Sequence, residues 1–341
     1  MSAEIPSIDE VLSTATVVDL PLITGFRGLR HRELLFINGP HGPGEWAAFS
    51  EYGDEEASWW LAAALEQAFH PTPIADSTSV AVNAIVPAMP ASDVAEWLDR
   101  FSGCTTIKVK VGEPGQTLSD DLDRLHAVVD AAGSGIRLRL DANGAWDIDQ
   151  AEAILKQCSD FDIDYVEQPV STPEELSALR NRLGGLPIRF AADELVRKTH
   201  QLDHLSPELT EVVIIKPSPL GGFVYSVGLA REALSRGFDV TVSSGLESSV
   251  GLNHATLVAA AVNELTGKDT AHGLGTGALF DADVVDSPLL PRGGRVTYQE
   301  PRLNETLLND SKASQERTEW WQERFRRCVP LATEILNQRP E

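Results

Sequence analysis

The feature that most constrains the fold is a regular alternation of short β-branched runs with amphipathic helical stretches between about residues 80 and 275. The runs predicted to be strands are VAVNAIV, TTIKVKV, IRLRLDA, DYVEQP, IRFAAD, EVVIIKP, DVTVSS and AHGLG. Helical patterns lie between them, although the one around LVRKTHQLDHL is poor. Strands that alternate with helices favour parallel pairing and right-handed crossovers. The pattern therefore predicts an α/β fold, a (β/α)7β barrel of the TIM type.

The segments on either side of this alternation have a different pattern. Near the N-terminus, HRELLFING and GEWAAFSEY predict a hairpin or meander, and ASWWLAAALEQAF predicts a helix. The tail after SPLLPRGG lacks the barrel pattern and is rich in Glu, Arg and Trp. We predict an α+β capping domain at residues 1–80, a catalytic barrel at 81–290, and a C-terminal segment at 291–341 that returns to the cap.

Charged residues recur near the carboxyl ends of successive predicted strands. In chain order they are Lys108 with Lys110, then Asp141, Glu167, Asp193 and Lys216. The three acids are spaced 26 residues apart, and Lys216 follows the last of them by 23. One strand–helix unit of a barrel has about that length. We therefore expect these side chains to meet at the mouth of one barrel.

The three carboxylates need positive charge close by. Without it they would repel and raise one another's pKa. Oxygen-only ligands favour a hard divalent ion, so we expect Mg²⁺, with Mn²⁺ able to substitute. The alternative is a ring of structural salt bridges, but the order base, acid, acid, acid, base on five successive strands is hard to obtain that way. The same acids would relieve the repulsion between Lys108 and Lys110, which lie on one face of their strand.

This set of groups suits removal of a proton from the carbon next to a carboxylate. A divalent cation bound to that carboxylate acts as a Lewis acid. A lysine can serve as base only if its ordinary pKa of about 10.4 falls, and positive neighbours cause such a fall. We expect Lys110 to be the base and Lys108 to be its positive neighbour and an oxyanion contact.

These motifs resemble the enolase superfamily, in the branch that carries Lys-x-Lys on the second barrel strand. The similarity covers nearly the whole chain. It implies that KVK carries the base Lys110, that LDANGAW, VEQP and ADE carry the metal ligands Asp141, Glu167 and Asp193, and that IIKPSPLGG supplies Lys216. Asn143 and Glu194 are expected close behind the ligands.

Within this branch, SSGLESSVGL on the seventh strand resembles the corresponding segment of the o-succinylbenzoate synthases. That resemblance implies a dehydration that forms 2-succinylbenzoate in menaquinone biosynthesis, with a small anionic carboxylate as substrate. The expected substrate contacts are Ser243, Ser244, Gly245, Gly273 and Leu274, with Arg27 of the cap loop as a specificity element.

Related activities remain open. An N-succinylamino acid racemase uses the same two lysines, and a muconate cycloisomerase is the next alternative. A mandelate-racemase-like enzyme needs a later-strand histidine that TVSSGLESS lacks, and a dipeptide epimerase usually has Asp-x-Asp where HGLGTG stands. A barrel that only binds ligands is disfavoured, because both lysine positions and all three acids are present.

Composition excludes several partners. A net charge of −23 argues against nucleic-acid binding. No uncharged apolar segment is long enough to predict a membrane span, and the N-terminus lacks the pattern of a signal peptide. Three widely spaced cysteines without metal or disulfide spacing favour a reducing cytoplasm. We expect a monomer, with an oligomer left open.

Overall fold

The computed structural model describes residues 6–73 and 78–339; residues 1–5, which carry part of the signal-peptide expectation, lie outside them. The strands are β1 Thr16–Phe26, β2 Leu29–Gly39, β3 Gly42–Trp46, β4 Ser79–Ala81, β5 Ala84–Val86, β6 Thr106–Lys110, β7 Arg137–Asp141, β8 Ile163–Glu167, β9 Phe190–Ala192, β10 Val212–Ile215, β11 Asp239–Val242 and β12 Arg295–Thr297. The helices are α1 Ile8–Thr14, α2 Asp54–Phe69, α3 Val94–Leu98, α4 Leu118–Ala132, α5 Ile148–Gln157, α6 Pro173–Leu183, α7 Glu194–Arg197, α8 Phe223–Ser235, α9 Ser249–Thr266, α10 Glu305–Asp310 and α11 Gln315–Asn337. In these ranges no helix is long and apolar enough to cross a membrane.

Strands β5 to β11 form one curled parallel sheet in chain order. The predicted eighth strand is reduced to His272 and Gly273, which bridge the two edges of this sheet. The N–H of Asn83 donates to the His272 carbonyl at 2.9 Å, and the N–H of Gly273 donates to the Val242 carbonyl at 2.7 Å. These bonds close the sheet, so the predicted TIM-type barrel is confirmed.

Two predicted elements differ from the structure. The run VAVNAIV is divided: β4 pairs antiparallel with β12, and only β5 enters the barrel. The pattern LVRKTHQLDHL forms just the single turn α7, so the helix predicted there was too long. His200 has a φ of 56°, and a left-handed residue of this kind cannot continue an α-helix.

The strands separate apolar from charged side chains. Ile107 and Val109 of β6 are 2% and 0% exposed and belong to the outer core, under the helices. The lysines alternate with them and therefore face the barrel interior. A small separate cluster of Tyr165, Ala191, Val212 and Ile214 fills part of that interior. The polar groups thus stand above an apolar floor.

The N-terminal region is an antiparallel sheet in the order β1-β2-β3 with α2 packed against it. Strands β2 and β3 correspond to the predicted hairpin, whereas β1 was not predicted. Its sequence TVVDLPLITGF contains Pro21, and proline weakens the pattern by which a strand is identified. Pro21 is nevertheless paired with His31 in the register of β1 and β2.

The tail packs back on this N-terminal sheet. Trp321 of α11 meets Trp46 edge-on, with ring centroids 5.0 Å apart, and its indole N–H donates to Glu33 at 2.8 Å. Arg324 donates to the carbonyls of Phe49 and Tyr52 at 3.0 and 2.7 Å. One cap is therefore built from both ends of the chain, while the boundaries near residues 80 and 290 stay predictions.

Candidate active site

The strand register brings the predicted acids and lysines to one edge of the barrel. Lys110 pairs with Asp141, and Asp141 pairs with Glu167. Asp193 and Lys216 directly follow β9 and β10. Because parallel strands in register place paired residues side by side, these side chains end at the same mouth.

Lys108 lies between two carboxylates. Its Nζ is 2.8 Å from both oxygens of Glu167 and 2.8 Å from Asp141 Oδ2. Burial lowers the pKa of Lys108, but the charges of Asp141 and Glu167 outweigh burial and raise that pKa well above its usual value. Lys108 is therefore protonated at neutral pH. The neighbouring acids offset the repulsion between Lys108 and Lys110 that the sequence predicted.

The two acids around Lys108 respond differently to their surroundings. Burial raises the pKa of Asp141, yet the ammonium groups of Lys108, Lys110 and Lys216 outweigh it and hold the pKa well below its usual range. Burial and the charge of Asp141 raise the pKa of Glu167 to about 7. Asp141 and Glu167 together can therefore carry either one negative charge or two, depending on which cations are close.

Lys216 forms the second ion pair. Its Nζ lies 2.6 Å from Asp193 Oδ2. Burial lowers the pKa of Lys216, but the negative charges of Asp193 and Glu167 raise it above its ordinary value. Burial raises the pKa of Asp193, but the positive charges of Lys216 and Arg197 outweigh burial and lower that pKa below its ordinary value. Both partners are thus charged at neutral pH.

Lys110 is linked to the acids through Asn143. The ammonium group of Lys110 donates to Asn143 Oδ1, and Asn143 Nδ2 donates to Glu194 Oε1 at 3.1 Å. Asn143 has a φ of 46°, in the left-handed region that asparagine tolerates better than most residues. Burial and the nearby charge of Asp193 raise the pKa of Glu194. Asn143 and Glu194 thus form a hydrogen-bonded chain that begins at Lys110, and their predicted place behind the metal ligands stays a prediction.

A small cavity of about 50 Å³ opens at this mouth. Among the residues predicted to contact substrate, those that line it are Arg27, Ser243, Ser244, Gly245 and Gly273. Leu274 is 0% exposed and packs in the barrel core, so its predicted place at the cavity is corrected. Lys108, Lys216 and Asn143 also line the cavity, whereas Lys110 reaches it only through its bond to Asn143.

Two glycines are needed at the cavity. A Cβ added to Gly245 would lie 2.4 Å from the Trp60 ring, and one added to Gly273 would lie 2.5 Å from Ser243 Oγ. Thr276, which the sequence reasoning missed, shares a 2.6 Å hydrogen bond with Ser244. Its position in HGLGTG, three residues after Gly273, was the available signal.

Arg27 occupies the tip of the β1–β2 hairpin, over the cavity. Its Nη2 donates to the hydroxyl of Tyr52 at 3.3 Å. Its guanidinium carbon lies 4.6 Å from the centroid of the Phe49 ring. Tyr52 and Phe49 belong to the segment between β3 and α2, which the sequence did not mark as part of a site.

The carboxylates are the candidate metal ligands of the site. Across the described ranges, no group of three or more His, Cys, Asp or Glu side chains is arranged to hold an ion. The ammonium groups of Lys108 and Lys216 are bonded to carboxylate oxygens there. Two buried oxygens, Asp193 Oδ1 and Glu194 Oε2, have no hydrogen-bond partner among the described residues. Buried oxygens without partners, on a set made only of carboxylates, fit a hard divalent cation.

Family models match most of the chain. Residues 91–302 match the family described as enolase C-terminal domain-like, and residues 17–68 match the one described as enolase N-terminal domain-like. The o-succinylbenzoate synthase of Mycolicibacterium smegmatis is 41% identical over 97% of this chain and all of that protein. The o-succinylbenzoate synthase of Mycobacterium leprae is 40% identical over 96% of this chain and 95% of that protein.

Solved structures share the fold at lower identity. A muconate lactonizing enzyme from Pseudomonas fluorescens, complexed with muconolactone, matches with a TM-score of 0.71 and 17% identity over 88% of this chain and 98% of that one. An N-succinyl Arg/Lys racemase from Bacillus cereus matches with a TM-score of 0.68 and 20% identity over 88% of this chain and 97% of that one. At these identities the likeness concerns the fold alone.

Proposed function

The chain belongs to the enolase superfamily, and from this premise we propose that it is an o-succinylbenzoate synthase. The reaction is the dehydration of 2-succinyl-6-hydroxy-2,4-cyclohexadiene-1-carboxylate to 2-succinylbenzoate, a hydro-lyase step of menaquinone biosynthesis. The observation that carries the proposal is the near-full-length similarity to enzymes of that name. The lysines and acids of the barrel mouth supply the chemistry that the reaction needs.

We assign the metal site to Asp141, Glu167 and Asp193, which would hold one Mg²⁺, with Mn²⁺ able to substitute. The unpartnered Asp193 Oδ1 and the all-oxygen donor set support this assignment. When bound, the cation supplies Lewis-acid stabilisation of the negative charge that develops on the substrate's ring carboxylate.

Lys110 is the proposed base and acid. Its Nζ takes the proton from the carbon that bears the ring carboxylate, after exchanging its bond to Asn143 for the substrate. The same Nζ then gives this proton to the departing hydroxyl, so that the C–O bond breaks and water leaves. One residue thus completes a syn elimination, and the ring becomes aromatic.

Lys216 and Lys108 contribute fixed positive charge. Lys216 directly follows β10, which three strands separate from β6. The raised pKa of Lys216 keeps it protonated, so that it stabilises the developing anion electrostatically. Lys108 holds Asp141 and Glu167 in place and adds a second ammonium group to the cavity wall.

The succinyl arm of the substrate needs neutral donors and one cation. The hydroxyls of Ser243 and Ser244 can donate to its carbonyl without attracting a competing metal ion, and Gly245 and Gly273 line the same cavity without a side chain. Arg27 at the hairpin tip can bind its carboxylate. We also propose a monomeric, cytoplasmic enzyme; the three unpaired cysteines support the reducing compartment.

The test is turnover by the purified protein with Mg²⁺. We expect 2-succinylbenzoate to form from the hydroxy-cyclohexadiene substrate, and we expect a folded Lys110→Ala variant to form none. A panel of N-succinylamino acids and cis,cis-muconate serves as the comparison. Efficient racemisation of an N-succinylamino acid by the wild type, without any dehydration, would overturn the proposal.

A further inference from the structure

Arg27 is an exposed cation at the mouth of the barrel. Within residues 6–73 and 78–339, no carboxylate lies within ion-pair distance of Arg27. Its contacts there are the Tyr52 hydroxyl, at 3.3 Å from Nη2, and the face of Phe49. Because Arg27 lines the cavity and is in ion-pair contact with no acid there, its guanidinium can bind an anionic group of a ligand in the cavity.

The backbone supports the same view of Arg27. Arg27 has a φ of 52° and Gly28 has a φ of 75°. These two residues form the tight turn between the paired residues Phe26 and Leu29. Turns of this kind prefer asparagine or glycine at both positions, because other side chains are strained there. The backbone conformation of this turn does not favour arginine, so the presence of Arg27 is explained by its side chain.

Tyr52 is itself fixed from two sides. The guanidinium carbon of Arg197 lies 5.4 Å from the centroid of the Tyr52 ring, and Glu56 is bonded to Arg197. Arg324 of the tail donates to the Tyr52 carbonyl at 2.7 Å. Groups from the barrel and from the tail thus define where the Tyr52 hydroxyl stands, and the hydroxyl defines where Arg27 stands.

We propose that Tyr52 is a positioning residue, whose hydroxyl holds the Arg27 guanidinium over the cavity to bind the second carboxylate of a dicarboxylate substrate. The inference rests on the proposed function, which supplies a substrate with two carboxylates. One N–H of Arg27 is used by Tyr52, and the remaining N–H groups of the planar fork suit a carboxylate. Arg27 then touches the substrate, whereas Tyr52 acts through Arg27.

The first test is Tyr52→Phe, which removes only the hydroxyl. We expect KM for the dicarboxylate substrate to rise about 3- to 10-fold, with kcat changed less than about twofold, because a hydrogen bond of ordinary strength is lost at a binding group. Binding of 2-succinylbenzoate, measured by calorimetry, should weaken by the same factor, whereas binding of benzoate should not change. The matched control is Tyr225→Phe, whose hydroxyl donates to the Ile335 carbonyl.

The second test repeats Tyr52→Phe in an Arg27→Ala background, where it should have no further effect on KM. An equal effect in both backgrounds, or an unchanged KM in Tyr52→Phe, would overturn the inference while leaving the proposed function intact. Absence of dehydration by the wild type would overturn the proposed function, and this inference with it.

Discussion

The three lysines of the site differ in what surrounds them. Lys108 and Lys216 are each bonded to buried carboxylates, and their raised pKa values keep them charged. Lys110 bonds to the neutral amide of Asn143. The family resemblance implies Lys110 as the base, and its contact with a neutral amide distinguishes it from the two lysines that are bonded to carboxylates.

Arginine substitutions separate the two lysine roles. In Lys216→Arg the positive charge is kept, so we expect appreciable dehydration to remain. In Lys110→Arg the base is lost, because arginine is not deprotonated in proteins, and we expect kcat to fall about 10²- to 10⁴-fold. Steady-state kinetics on both variants provides the measurement. Collapse of turnover in Lys216→Arg would instead favour a two-base reaction such as racemisation.

Glu167→Gln tests the metal assignment without measuring activity. The variant keeps the shape of the side chain but loses a negative charge and one strong oxygen ligand, so we expect Mg²⁺ affinity to fall by about 100-fold or more. Isothermal calorimetry on the folded variant gives the affinity. Glu152→Gln, which changes a carboxylate of the helix surface paired with Lys156, is the control. Unchanged affinity in Glu167→Gln would show the assignment to be wrong.

The acids could be located from sequence because the strand ends that carry them repeat every 26 residues, and the lysines lie on, or directly after, the strands to either side. Asp141, Glu167 and Asp193 follow that interval, and the register of the barrel strands places their side chains next to one another. Tyr52 and Thr276 follow no repeat, because loops bring them to the site. Leu274 was misplaced because the extended chain ends at Gly273: Leu274 has a ψ of 16°, begins a short helical turn and packs its side chain in the core.

At the scale of elements, the cap holds a loop of the active site. Glu45 of β3 accepts hydrogen bonds from the N–H and hydroxyl of Ser248, at 2.9 and 2.6 Å, and from the N–H of Gly251 at 2.8 Å. Arg32 of β2 donates to the carbonyl of Leu246 at 3.1 Å, and Leu246 has a φ of 69°. Two buried charges thus fix a strained segment that lines the cavity.

Glu45 should make stability depend on pH. Burial raises its pKa to about 7, although the bonds from Ser248 oppose the rise. A carboxyl group that binds its proton more tightly in the folded state loses stabilisation as pH rises from about 4.5 to about 7, by on the order of 3 kcal/mol. We expect Glu45→Gln to make the fall in unfolding free energy between about pH 5 and pH 8 shallower, as measured by urea titration.

Glu33→Gln is the control for that measurement. Burial raises the pKa of Glu33, but the bonds from Arg317 and Trp321 outweigh it and lower the pKa below its ordinary value. Its titration therefore lies below the measured range, and the change between pH 5 and pH 8 should match that of the wild type. The same pH dependence in Glu45→Gln and the wild type would contradict the role given to Glu45.

The elements whose extent or pairing the sequence predicted wrongly are those whose form depends on distant partners. The closing strand of the barrel consists of His272 and Gly273, and they are identified by bonds to Asn83 and Val242 and not by a run of β-branched residues. In the same way β4 is separated from β5 by its pairing with β12, more than 200 residues along the chain. Local patterns predicted the central strands well because burial on both faces makes those runs distinctive.

At the scale of the whole molecule, the cavity is too small for the proposed substrate. Ligand sites usually occupy about 300–1,000 Å³, whereas this cavity has about 50 Å³. We therefore expect the cap to move relative to the barrel before a substrate enters. The ion pair between Glu56 of α2 and Arg197 of α7 joins the two near the mouth, with side chains 30% and 7% exposed. Opening that separates these helices has to break it.

Glu56→Gln should therefore speed ligand entry. Loss of the ion pair lowers the cost of opening, and we expect the association rate of 2-succinylbenzoate to rise about 3- to 10-fold, measured by stopped-flow tryptophan fluorescence. Removal of a negative charge from this acidic protein also weakens the long-range repulsion of a dianion, which raises the association rate as well. Glu55→Gln, on the exposed side of the same helix, makes the same charge change without that ion pair and corrects for this effect. Equal association rates in the two variants would mean that the cap opens without breaking this contact.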